Sequence, residues 1–131
     1  MKHLKIKTKA RNDFVDVTPM VAQEVKSSGI EQGICTLFVP HTTAGITINE
    51  NTDPNVVRDM QHVLDEVVPW DKGYHHAEGN SAAHVKASLM GFSVQVPIEK
   101  GELCLGTWQG IYFCEFDGPR IREIWIQLFA G

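Results

Sequence analysis

The chain has no apolar run near the roughly 20 residues needed to cross a bilayer, and its first residues lack the apolar core of a secretory signal. These absences point to a cytoplasmic protein with no membrane partner. Cysteine is scarce as well. Cys35, Cys104 and Cys114 are odd in number and each falls in an apolar, strand-like run, which suits buried reduced thiols better than a disulfide framework. None has an activating neighbour in sequence, so nothing marks a nucleophilic cysteine. Excess basic charge is missing too: the net charge of −4 argues against a broad nucleic-acid footprint. Lys5, Lys7, Lys9 and Arg11 do alternate with Leu4, Ile6, Thr8 and Ala10, but that pattern reads as the wet face of an edge strand. No repeat, linker or low-complexity segment interrupts the chain. Its 131 residues, 43% hydrophobic and 21% charged, fit one globular domain spanning 1–131.

Periodicity supplies the elements. Leu4 to Ala10 and Phe14 to Val17 alternate around Arg11-Asn12-Asp13 and read as a hairpin. Thr18-Pro19 opens a short helix through Lys26, stopped at Gly29. Gly33 to Val39 is apolar enough for a central strand, and Gly45 to Asn49 is a second strand after a histidine turn. Asp53-Pro54 starts a helix whose Val56, Val57, Met60, Val63, Leu64 and Val67 recur at helical spacing until Pro69. A third helix begins at Asn80 or Ser81 and runs through Leu89, with Gly91 as its left-handed stop. Four strands follow, Ser93 to Ile98, Glu102 to Leu105, Ile111 to Phe116 and Arg122 to Phe129, with connections short enough to imply antiparallel neighbours. The sum is an α+β domain, predominantly an antiparallel β-sheet or sandwich with about three helices on one side. The last strand is so apolar that its sheet face calls for a partner subunit.

What the chain has in abundance is histidine. Between Tyr74 and Val85, His75, His76 and His84 gather with Glu78 around a helix start, and His41 opens the run His41-Thr42-Thr43-Ala44-Gly45 at a strand end. A catalytic zinc site needs three nitrogen or carboxylate ligands and one open position, and His41, His76 and His84 can supply them. Their spacing matches no compact zinc pattern, so scattered polar histidines remain the alternative. Thr42 and Thr43 offer hydroxyls beside His41. Asn80 and Ser81 are capping residues, yet the N–H groups they leave free at a helix start attract phosphate or pyrophosphate. His84 lies one turn in on the same face, so a metal there would sit beside the anion. In Leu105-Gly106-Thr107-Trp108-Gln109-Gly110, Trp108 either stacks on a heterocycle, with Gln109 reading the ring edge, or fills a strand corner. Asp117-Gly118-Pro119 is turn chemistry first. Beside it Arg120 offers a fork suited to phosphate, and Asp117 a carboxylate for proton transfer or support.

Taken together, four ordered motifs resemble the YjbQ-like family. They are His-Thr-Thr-Ala-Gly-Ile-Thr-Ile-Asn-Glu-Asn from His41, Tyr-x-His with Glu-Gly-Asn-Ser-x-Ala-His from Tyr74, Gly-Thr-Trp-Gln-Gly from Gly106 and Glu-Phe-Asp-Gly-Pro-Arg from Glu115. The family also carries the label secondary thiamine-phosphate synthase. The resemblance implies an α+β homotrimer with a histidine-rich pocket holding zinc or a similar divalent metal. It selects His41, His76 and His84 as metal ligands and leaves His75 at a variable position. The implied activity joins a pyrimidine pyrophosphate to a thiazole phosphate. His76 and Glu78 would then assist proton movement, with Asp117 and Arg120 completing the catalytic set. Thr42, Thr43, Asn80, Ser81, Trp108, Gln109 and Arg120 would bind the substrates. Two other classes use the same residues: a metal-dependent hydrolase of a small phosphorylated metabolite, with Glu78 or Asp117 as base, and a noncatalytic trimer that binds a metal or metabolite.

Overall fold

A computed structural model describes residues 1–131. Its strands are β1 (Lys2–Lys7), β2 (Asp13–Asp16), β3 (Gln32–Phe38), β4 (Ala44–Glu50), β5 (Ser93–Glu99), β6 (Glu102–Leu103), β7 (Gln109–Glu115) and β8 (Ile121–Ala130). Its helices are α1 (Thr18–Ser28), α2 (Pro54–Val67) and α3 (Ser81–Met90). The strands form two sheets, one ordered β1-β8-β3-β5-β6 and one ordered β2-β7-β4, with every pairing antiparallel. The α+β reading holds.

The core between the sheets is built from Ile6, Cys35, Leu37, Val96, Ile98, Ile124 and Ile126 on one side and Ala44, Ile46, Ile111 and Phe113 on the other, with Val21 and Val25 of α1 packed in. On its opposite face the smaller sheet holds Phe14, Tyr112, Cys114 and Phe116 against Ala83 and Ala87 of α3, while Val57, Met60 and Leu64 of α2 close over them. β7 is therefore buried on both faces, which is why Gly110 to Glu115 contains no exposed residue.

The expected hairpin does not form. β1 pairs with β8 in the larger sheet and β2 with β7 in the smaller. Alternation reports that a segment is a strand with one wet face; it carries no information about the neighbour, and here the turn at Arg11-Asn12 passes from one sheet to the other. The same holds for the last strands, since β6 pairs with β5 while β7 and β8 lie in different sheets. The edge-strand reading of β1 is correct, with Lys5, Lys7, Lys9 and Arg11 exposed and Ile6 buried. Cys35 and Cys114 are buried, but Cys104 follows β6 and is exposed. Burial pushes the Cys35 thiol up to about 11 and raises that of Cys114 further. No helix is long and apolar enough to cross a membrane.

Candidate functional site

Three connections converge at one end of the sandwich. The β3–β4 turn crosses between the sheets and carries His41, Thr42 and Thr43; the loop into α3 carries His76, Glu78 and Asn80; the β7–β8 turn carries Asp117 and Arg120. Together with Phe38, Val39, Pro40, His84, Phe92 and Arg122 they line an open cleft of about 720 Å³. Of the residues the sequence singled out, His41, His76, His84, Glu78, Thr42, Thr43, Asn80, Asp117 and Arg120 meet there.

The helix that brings His84 to the cleft lies against β4 because Gly45 has no side chain. A Cβ at that position would stand 2.7 Å from Gly91 O and 2.9 Å from Met90 Cβ. Gly91 ends α3 at φ 90°, ψ 170°, an extended mirror-image conformation rather than the left-handed helical stop the sequence suggests. At the other end Asn80 is the N-cap residue but makes no side-chain cap bond. Its amide donates to Asp117 Oδ2 at 2.9 Å, tying the helix start to the β7–β8 turn. The uncapped helix start keeps its positive end turned toward that turn. Ser81 opens α3 but does not line the cleft.

Arg120 is committed to the same turn: Nε donates to Asp117 O at 2.8 Å and Nη2 to Asp117 Oδ2 at 3.0 Å, leaving the side chain half exposed at the rim. Deeper in, a residue the sequence reading passed over forms the floor. Arg122 donates through Nε to Glu115 Oε1 at 2.8 Å, through Nη2 to Glu115 Oε2, and through Nη2 to Thr43 Oγ1 at 2.8 Å. Glu115 also accepts from Thr8 Oγ1 at 2.8 Å and from the Asp117 N–H at 3.0 Å. Burial raises the Glu115 carboxyl, but the bonds from Arg122, the Asp117 N–H and Thr8 outweigh it and hold the group below its ordinary range. The signal for Arg122 lies in the orientation of β8, which the sequence alone does not give. Arg122, Ile124 and Ile126 share the inward face of β8, and an arginine on a core face requires a buried acid.

His41 Nε2 accepts the Glu123 N–H at 2.9 Å. Its pKa is lowered, first by burial and then by the Arg122 charge. A neutral imidazole whose Nε2 accepts carries its proton on Nδ1, so the second nitrogen offers a donor rather than a lone pair. His76 and His84 stand differently. Their ring centroids are 5.4 Å apart, close to the ~5 Å expected when two imidazoles share one tetrahedral zinc. Glu78, with no protein partner among the hydrogen bonds or ion pairs, is the available carboxylate. His76 and His84 are thus the pair whose spacing would suit a shared divalent metal, while no group of three such side chains stands close enough to hold one. His41, expected as the third ligand, stands apart from that pair because the β8 backbone occupies its nitrogen.

Trp108 and Gln109 are not at the cleft. Trp108 immediately precedes β7 and Gln109 is its first residue, whereas Glu115 ends the strand and Asp117 follows in the turn, and seven residues of strand span roughly 20 Å. Gln109 Oε1 accepts the Gly106 N–H at 2.8 Å, and Trp108 O accepts from Asn51 N, with the indole 60% exposed. The aromatic walls of the cleft are Phe38 and Phe92.

Comparison with known proteins gives one answer throughout. A family model described as UPF0047 protein YjbQ-like matches residues 2–131. The UPF0047 protein YugU of Bacillus subtilis is 52% identical over 131 residues, covering 99% of both chains. A UPF0047 protein of Methanocaldococcus jannaschii is 48% identical over 125 residues, 95% of this chain and 91% of its own. A crystal structure of a YjbQ/UPF0047 protein from Clostridium acetobutylicum superposes with a TM-score of 0.96 at 53% identity, covering 98% of this chain and all 100% of its own.

Proposed function

The chain belongs to the UPF0047 YjbQ-like family, and on that premise we propose that the cleft is the reaction site of a small-molecule transferase of the thiamine-phosphate synthase type. The observation that supports this is the convergence of His76, His84, Glu78, Asn80, Asp117 and Arg120, drawn from separate parts of the chain, in one open cleft. In the reaction the ring nitrogen of a thiazole phosphate attacks the methylene of a pyrimidine pyrophosphate. A C–N bond forms, the C–O bond to pyrophosphate breaks, and its electron pair leaves with the pyrophosphate. The attacking nitrogen carries no proton, so the demand falls on the leaving group, whose charge must be met as it develops.

Charge matching in the cleft explains why a metal belongs to the proposal. Arg120 is paired with Asp117 and Arg122 with Glu115, so neither is a free cation, and Glu78 is left over. A pyrophosphate needs further positive charge. A divalent metal, zinc by donor type, held by His76 and His84 with Glu78 would supply it by neutralising leaving-group oxygens. The chain's own parts are then the α3 start and Arg120, which orient phosphate oxygens at the rim. Phe38 and Phe92 take the heterocycle in the place first expected of Trp108. The protein acts as a homotrimer in a reducing compartment such as the cytoplasm, consistent with three unpaired cysteines.

The test is direct. Zinc-loaded protein is given hydroxymethylpyrimidine pyrophosphate and thiazole phosphate, and thiamine phosphate is followed by its fluorescent oxidation product. Synthesis that is lost in His84→Ala is expected. Release of phosphate without joining of the rings would replace the reading with a metal-dependent hydrolase, and no turnover of either kind would leave a metabolite-binding trimer.

A further inference from the structure

The reaction outlined above makes no use of Arg122, yet this side chain combines two properties that rarely coincide. It is almost sealed, at 5% exposure, and it lines the cleft. Nε and Nη2 are spent on Glu115 and Thr43. Nη1 donates to nothing in the protein, and it is not among the sealed polar atoms without partners, which are Asn12 Oδ1 and Asn80 Oδ1 alone. That nitrogen therefore keeps solvent contact, and the cleft is the cavity this side chain lines. A guanidinium clamped along its other edges loses little freedom when it meets an oxyanion, so its free edge is preorganised for one.

Glu115 shapes what that edge can hold. The carboxylate is fully buried, with an exposure of 0%, and bonds the Nε–Nη2 edge of the guanidinium, leaving Nη1 out of the pair. It cancels the net charge while leaving the N–H directions intact. A weakly hydrated point charge gains little from such a site, whereas a tetrahedral phosphate, which can turn an oxygen toward the two N–H groups, gains directed bonds.

We propose that Arg122 is the anion-reading residue of the cleft, donating through Nη1 to a terminal phosphate oxygen of the metabolite, and that Glu115 is a positioning residue which limits how tightly that oxygen is held. This rests on the reading of the cleft as a site for a phosphorylated metabolite, and it extends that reading to the group recognised and the residue that recognises it.

Inorganic phosphate is the probe, titrated by calorimetry into wild-type protein, Glu115→Gln, and the double variant Glu115→Gln/Arg122→Gln, which removes both buried charges together and avoids stranding one of them. Glu115→Gln uncovers the arginine charge while keeping an acceptor for it, so phosphate should bind about tenfold more tightly. A merely structural glutamate would give weaker or unchanged binding. The double variant should bind at least about tenfold more weakly than wild type, the loss expected for hydrogen bonds to a charged group. Wild-type crystals grown with tungstate, a heavy phosphate mimic, should show the ion within hydrogen-bonding distance of Nη1, a result that depends on no variant folding. Equal phosphate affinity in the double variant, tungstate bound away from Arg122, or no phosphate binding by wild type would each overturn the assignment. Phosphate bound at Arg122 by a protein that makes no thiamine phosphate would sink the synthase reaction and leave the assignment standing.

Discussion

At the scale of single residues, the site couples its geometry to pH. Both His41 and Glu115 have pKa values below their ordinary ones. For a lowered group the unfolded chain takes up the proton first, so the stability it contributes is complete above the unfolded value and is lost as pH falls through the folded one. His41 should therefore begin to erode stability as pH drops below the ordinary histidine value of 6.5. Glu115 should do so below the ordinary carboxyl value of 4.5. Thermal melting from pH 8 to pH 3 is expected to fall in two stages, and His41→Gln should abolish the upper one. A melting temperature flat between pH 7 and 5 in the wild type would contradict this. The convergence of His41, His76 and His84 was legible through the ordered motifs that carry them, since their spacing alone left scattered polar histidines as an equal reading. Arg122 was not, because its partner Glu115 lies across a turn, and only knowledge of which face of β8 points inward exposes the conflict.

At the scale of elements, α2 was the most legible. Asp53 caps it by accepting the Asn55 N–H at 2.9 Å, and Val57, Met60 and Leu64 pack on the smaller core, although no residue of the helix is buried and Val63 and Val67 stand exposed. Strand partners were not legible, since period-two patterning is the same whichever sheet a strand joins. Nor was the end of β7 at which Trp108 sits, because motif order along a chain does not give position in space. The contact between α3 and β4 at Gly45 can be tested by substitution. Gly45→Ala sets a methyl against Gly91 O and Met90 Cβ, both held by backbone, and should cost about 1–3 kcal/mol in stability. Because α3 carries His84, the same variant should lose metal affinity out of proportion to that cost. Chemical denaturation with zinc titration separates the two effects, and a variant as stable as wild type would show that α3 is not pinned there.

For the whole molecule, the outer face of the larger sheet remains to be accounted for. Ile34 pairs with Phe129 across β3 and β8, and the two are 44% and 55% exposed. Apolar side chains aligned on a sheet face are what a subunit interface covers. The proposed homotrimer should sediment at three times the mass of the chain at micromolar concentration, and Phe129→Glu should shift it toward monomer. A wild-type monomer under the same conditions would remove the trimer. The apolarity of this strand was plain in the sequence. Its division between an inward row, Ile124 and Ile126, and an outward row was not, because that depends on which neighbours β8 acquires.

The pairing of β1 with β8 also orders events in time. The strand made first, Lys2–Lys7, bonds to residues 121–126, and β8 also lies between β1 and β3. At roughly 5–20 residues per second of synthesis, Ile6 waits on the order of ten seconds for Ile124 to emerge. Until then the larger sheet has no edge strand on that side, β3 lacks one neighbour, and the cleft has neither Arg122 nor the backbone group that orients His41. The nascent chain thus carries its histidines early and its binding floor last, so competence of the site and closure of the fold arrive in the same step.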